Sequence, residues 1–130
     1  MSIHIILAVA AGGALGAVGR FLLTFGAGHF LGYGFPFGTT MVNVIGSFVL
    51  GIMMEASTSA LAWSLSAEVR AFLVVGVLGA FTTFSTFSLD AVTLWTRGDF
   101  VLAGLYTAGS VLLGVLGFLT GMFLTKAALI

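Results

Sequence analysis

The stretch GAFTTFSTFS at residues 79–88 carries the pattern with the most chemistry in this 130-residue chain. Five hydroxyls (Thr82, Thr83, Ser85, Thr86 and Ser88) are threaded with Phe81, Phe84 and Phe87. Apolar runs at 71–78 and 89–95 flank it, so these polar residues fall at the centre of what reads as one membrane crossing. Gly76, Gly79 and Ala80 precede the stripe and make it easy for the helix to break. A break at membrane depth frees backbone groups, and it is tolerated only where protein, water or an ion satisfies them again. Two such breaks meeting at a dimer axis would present carbonyl oxygens as a cage for a hard monovalent cation. The rings offer something rarer. An aromatic ring is negative on its face and positive at its edge, so edges turned toward a pore can coordinate an anion without fixed charge. The alternative is packing: in an unbroken helix the three rings share one broad face, with Thr83 and Thr86 as a second track beside them. Their alternation with hydroxyls has no packing rationale on a surface that faces lipid.

Other polar residues at membrane depth are few. Asn43, in GTTMVNVIGS, must find a partner or face water, because hydrocarbon offers an amide none. It is either an interhelical hydrogen bond or an N–H donor lining an ion path, and Thr39 and Thr40 place hydroxyls near the mouth of the same helix. Arg20 lies near the end of the first apolar run, where it can snorkel to the interface or attract anions into a vestibule. Asp90, a turn beyond the Phe stripe, is the one acid inside a span. It could pair with a cation, accept a bond that orients the broken helix, or sit near a pore mouth. Tyr106 and Ser110 are four apart and share a helix face, which could extend the polar track.

The elements that must position these residues follow from composition. The chain is 60% hydrophobic and 6% charged, with mean hydropathy +1.26. Soluble domains carry about 25% charged residues, so the solvent for most of this surface is lipid. A zero net charge leaves no basic patch for nucleic acid, and the absence of cysteine excludes disulfides, thiolate metal sites and cysteine nucleophiles. At about 20 residues per crossing, four spans fit in one domain: 3–23, 38–55, 68–95 and 100–126. The first lacks the charged leader of a signal peptide and reads as a retained helix. Connections fall at 24–37, 56–67 and 96–99. Ser66 is placed to cap the third span, and TRGD reads as a tight helical hairpin. Arg70 and Lys126 lie on one side of the membrane, Arg20 and Arg97 on the other, so the usual excess of basic residues in cytoplasmic loops is missing. Either the charges are too few to show a bias, or copies insert both ways up and pair antiparallel. Gly12 with Gly16, Gly117 with Gly121, and Ser110 with Gly114 have the small-x-x-x-small spacing that permits close helix approach.

Two segments, GTTMVNVIGS at 38–47 and GVLGAFTTFSTFSLD at 76–90, resemble the signature segments of the Fluc (CrcB) family of bacterial fluoride channels. Arg20 in GAVGRF and the Tyr106–Ser110 spacing agree, and the resemblance spans essentially the whole chain. It implies an all-α membrane protein of four transmembrane helices, the third broken mid-membrane, forming an antiparallel dual-topology homodimer in the bacterial inner membrane. Two antiparallel pores would export fluoride passively. Phe84 and Phe87 would turn ring edges to the ion, and Asn43 would add an amide donor. Thr39, Thr83, Thr86, Ser110 and Tyr106 would belong to the polar lining, with Arg20 in the vestibule and Asp90 orienting the helix. Gly79 and Thr82 would give backbone carbonyls to a structural sodium ion at the dimer centre. The chain departs from the pattern in Gly79-Ala80 where the family often has Gly-Gly, Asp90 for Glu, and Gly114 for a second hydroxyl one turn beyond Ser110. A small multidrug-type exporter would need an acid in the first span, and none is there. A mere anchoring subunit would leave the Phe-hydroxyl track unexplained. The chain shows no catalytic constellation or phosphate loop.

Overall fold

The computed structural model describes residues 2–57 and 65–129. Four helical crossings occupy Ile3–Leu31, Phe37–Ala56, Ala67–Thr96 and Phe100–Ala128. We label Ile3–Leu31 α1 and Phe37–Ala56 α2. The third crossing divides into α3 (67–81) and α4 (Phe84–Thr96), and Phe100–Ala128 is α5.

Helix α1 runs eight residues beyond the expected 3–23 span, through a glycine-rich stretch read from sequence as a connection. Gly28 is there for space rather than for a turn: a Cβ on it would collide with the Tyr33 ring folded against it. The chain leaves the helix at Gly32, whose φ of +86° suits glycine. Its N–H still bonds the Gly28 carbonyl at 3.0 Å. Pro36 then precedes α2, a position where its missing N–H costs nothing. The other ends match their sequence signals. Ser66 Oγ accepts from the Val69 N–H at 3.3 Å, and Gly98, with φ +83°, turns α4 into α5. The second connection lies mostly outside the described residues.

Most of the side-chain surface faces outward, as a lipid-solvated chain requires; what holds the helices together is backbone proximity. Helix α1 packs on α3, and α2 on α5. In the first seam, a Cβ on Gly12 would strike the Phe72 carbonyl and one on Gly16 the Val77 carbonyl. In the second, a Cβ on Gly51 would strike the Phe118 carbonyl and one on Gly121 the Phe48 carbonyl. Such contacts replace the hydrophobic driving force that lipid removes. Within α3, Ala71–Leu78 is wound as a π-helix. That wider turn, which the sequence reading did not foresee, carries both carbonyls facing α1. A small buried cluster of Phe87, Leu94, Ala103 and Tyr106 joins α4 to α5.

Candidate functional site

The third crossing is interrupted two residues later than its small residues suggest. Gly79 and Ala80 stay helical, and the chain becomes extended at Thr82 (φ −82°, ψ 159°) and Thr83 (φ −155°, ψ 120°). Both are β-branched and favour extended backbone. Asn43 holds the interruption open. Its Oδ1 accepts from the Thr83 N–H at 2.8 Å, and its Nδ2 donates to the Thr83 carbonyl at 3.0 Å. The amide thus pairs with a peptide group as a neighbouring strand would. The Thr83 N–H that a continuous helix would give to the Gly79 carbonyl is given to α2 instead. Asn43 is therefore an interhelical hydrogen bond, and its second Nδ2 hydrogen takes no protein acceptor among the described residues.

Thr83 then restarts the helix. Its Oγ1 accepts from the Thr86 N–H at 3.2 Å, an N-cap, and donates to Thr86 Oγ1 at 3.0 Å. Thr82 Oγ1 folds back onto the Leu78 carbonyl at 3.0 Å. The interruption also separates the Phe stripe. Phe81 stays on the α3 side against Gly19, whereas Phe84 and Phe87 open α4 with ring centroids 5.5 Å apart. Phe84 is 78% exposed and Phe87 only 9%, so the pair leads from the outer surface into the bundle.

A groove of about 460 Å³ runs along this face, lined among others by Asn43, Ser47, Thr83, Phe84, Phe87 and Ser110. Gly79 and Thr82 border it too. Ser110 Oγ lies 3.4 Å from Thr40 Oγ1. Gly114 faces Ser47, with 3.7 Å between a built Cβ and Ser47 Oγ. At the missing fourth-span hydroxyl, then, α2 supplies one. Ser47 escaped the sequence reading because it looked like any small residue in a Gly-x-x-x-rich helix.

Of the expected residues, Thr39, Thr86, Tyr106, Asp90 and Arg20 do not line this groove. Tyr106 is 1% exposed and stands behind Phe87, their centroids 5.3 Å apart. Its hydroxyl donates to Asp90 Oδ2 at 3.2 Å, and Thr39 Oγ1 donates to the same oxygen at 2.6 Å. Asp90 thus ties α2 and α5 to α4, the orienting arrangement; no ion pair forms on it among the described residues. Arg20, expected near a helix end, is eleven residues from the end of the longer α1. It donates from Nη1 to the Thr82 carbonyl at 3.4 Å. A cation here faces the carbonyl end of α3, where the helix dipole favours it.

An interrupted helix pinned open by a side-chain amide, beside rings and hydroxyls inside four apolar crossings, defines a multi-pass membrane protein with a largely apolar groove that carries a few amide and hydroxyl groups. By sequence the chain belongs to the CrcB family: the profile described as "CrcB-like protein, Camphor Resistance (CrcB)" matches residues 7–122. The "Fluoride-specific ion channel FluC" of Rhodospirillum centenum is 52% identical over 123 residues, covering 95% of this chain and 96% of that protein. The protein of the same name from Nitrobacter winogradskyi is 50% identical over 121 residues, 93% of this chain and 94% of its own. "Fluoride-specific ion channel FluC 1" of Nitrobacter hamburgensis is 46% identical over 121 residues, again 93% and 94%. These relatives carry the name of an ion channel, not of an enzyme.

Proposed function

We propose that this protein is a fluoride-selective channel of the bacterial cytoplasmic membrane, working as an antiparallel, dual-topology homodimer. The observation that carries the reading is the Asn43–Thr83 pairing, which fixes Phe84 and Phe87 beside amide and hydroxyl groups in a chain whose relatives are named fluoride channels. A fluoride ion gives up hydration only where other donors replace it. The spare Asn43 N–H, the Ser110 and Ser47 hydroxyls and the positive ring edges of Phe84 and Phe87 supply such donors without a fixed charge that would hold the ion. Phe84, exposed on one chain, is covered by the second. Passive release needs no coupling acid: hydrogen fluoride enters neutral, ionises inside, and the anion leaves down its gradient.

The freed carbonyls suit a sodium ion. Gly79 has lost its helical donor to Asn43, and Thr82 keeps only the long contact from Arg20. These neutral oxygens, doubled across a dimer axis, would hold sodium and neutralise the carbonyl ends of two broken helices. Sodium would thereby act in assembly. Replacing sodium by a large organic cation should shift the purified protein from dimer toward monomer on size-exclusion chromatography; a dimer indifferent to sodium rules the carbonyl site out.

The test of function is anion efflux from liposomes, with a fluoride electrode and a parallel chloride assay. Fluoride should leave rapidly and chloride hardly at all. Phe84→Ile and Phe87→Ile, each keeping apolar volume, should lower fluoride flux by about tenfold or more while dimers still form, since ring edges act on the moving ion. Undiminished flux in both variants refutes the ring-edge role.

A further inference from the structure

The first connection, read from sequence as a linker, sends one ring into the bundle. Phe35 stands edge-on to Tyr106, centroids 5.6 Å apart and planes at 88°. Four rings therefore form an unbroken series from the outer groove inward: Phe84 to Phe87 at 5.5 Å, Phe87 to Tyr106 at 5.3 Å, and Tyr106 to Phe35 at 5.6 Å.

The series separates two spaces. One is the 460 Å³ groove beside the interruption; the other is a cavity of about 210 Å³ at the end where the first and third connections lie. Their linings have no residue in common. Phe87 lines the first, Phe35 the second, and Tyr106 stands between them. Polar groups cross the same boundary. Ser110, on the groove, meets Thr40, while Thr39 and Asp90, on the second cavity, bond each other and Asp90 accepts from the Tyr106 hydroxyl. Beyond Phe87 and Tyr106 lies this second cavity, where the Thr39 and Tyr106 hydroxyls are held by the Asp90 carboxylate, Arg97 also lines the wall, and the Phe35 ring borders the space.

Phe35 lies in the short connection between α1 and α2. Gly32 and Gly34 precede it, Pro36 follows, and Gly32 has positive φ. Nearby the chain is held by the Phe35 carbonyl, which accepts from the Phe37 N–H at 2.8 Å, and the Pro36 carbonyl, which accepts from the Thr40 N–H at 3.2 Å. The ring is only partly buried against Tyr106. An apolar side chain that closes a narrow polar passage acts as a barrier to a hydrated ion.

We propose that Phe35 is a residue of the ion path: its ring closes the space beyond Tyr106 and swings aside for each passage. This rests on the path running along Phe84 and Phe87, as the proposed function has it, and adds that the path continues past Tyr106. The chain's lack of cysteine provides a clean test. Phe35→Cys protein is labelled with sulfonatoethyl methanethiosulfonate before reconstitution, labelling is verified by mass, and fluoride efflux is measured before and after reduction. Thr96→Cys, exposed at the same membrane end and outside the cavity, is the control. The anionic adduct should cut flux in Phe35→Cys by about tenfold or more, and reduction should restore it, whereas labelled Thr96→Cys conducts as before. Fully labelled Phe35→Cys that conducts like the unlabelled protein overturns the proposal, as does a native Phe35→Cys dimer whose introduced thiol reacts only after unfolding. If Phe35→Cys does not assemble, Phe35→Leu asks the same question. A flux raised by about threefold supports a closing ring, and a flux within about twofold of the parent does not. Silence of Phe87→Ile in this assay would remove the path itself; an inactive Phe87→Ile beside an indifferent labelled Phe35→Cys removes only the role of Phe35.

Discussion

The glycine seams and the interruption of the third crossing are two answers to one problem, holding helices together in a solvent as apolar as their side chains. In the seams, side chains are removed so that backbones touch. At the interruption, backbone hydrogen bonds are given up within the helix and remade across to α2 by a single amide. Each seam is spread over several glycines that meet backbone on the neighbouring helix. The interruption depends on the two bonds of Asn43, so it is the place where one substitution alters function before it alters fold.

The largest effect of a single substitution is expected in the seam. Gly121→Val places a branched side chain against the Phe48 carbonyl, where α2 backbone rather than a movable side chain stands in the way. Overpacking of a rigid contact costs about 3 kcal/mol or more, and here it forces α2 from α5. Little monodisperse protein should be recovered in detergent, and a normal yield with an unshifted melting midpoint would show that the seam opens more readily than its geometry implies.

Next in size is Asn43→Leu, nearly equal in volume. It leaves the Thr83 N–H and carbonyl without protein partners, a penalty of about 1–3 kcal/mol for each group before water enters. The seams are untouched, so the dimer should still be isolated while fluoride flux falls by about tenfold or more. A folded Asn43→Leu protein with full flux would mean that Thr82 and Thr83 stay extended on their own.

How far the sequence showed this difference depends on which partner each residue needed. The number and placement of the crossings followed from hydropathy, and the Ser66 cap and the TRGD hairpin from local chemistry. Gly12, Gly16, Gly117 and Gly121 were visible by spacing, and all four make close approaches. Gly51 and Gly76, their counterparts in the seams, have no second glycine at the same spacing to mark them. The extended residues lay within the marked stretch, but Gly79 and Ala80 drew attention away from Thr82 and Thr83. What fixes the chain there is an amide forty residues upstream, and local propensity holds no trace of it. Helix α1 overran its expected end because Gly26 and Gly28 look like loop formers, and the Tyr33 ring that needs the space at Gly28 cannot be seen in the sequence. Phe35 was missed for the same reason: only the folded connection brings it to Tyr106.

The third pair of small residues, Ser110 and Gly114, shares the spacing of the seams but lies on the groove. Gly114→Ser tests whether that glycine serves approach or passage. A Cβ there would meet only Ser47 Oγ, at an ordinary 3.7 Å. Close approach to backbone, which forbids a side chain at Gly121, is absent. Serine should therefore change stability by less than about 0.5 kcal/mol, the range of substitutions that disturb no packed contact. The new hydroxyl would sit one turn beyond Ser110 and beside Ser47, adding a donor to the groove wall. Fluoride flux should stay within about twofold of the parent, because Ser47 already offers a donor at this level. A drop in dimer recovery would instead place Gly114 among the seam glycines, with its contact supplied by the second chain.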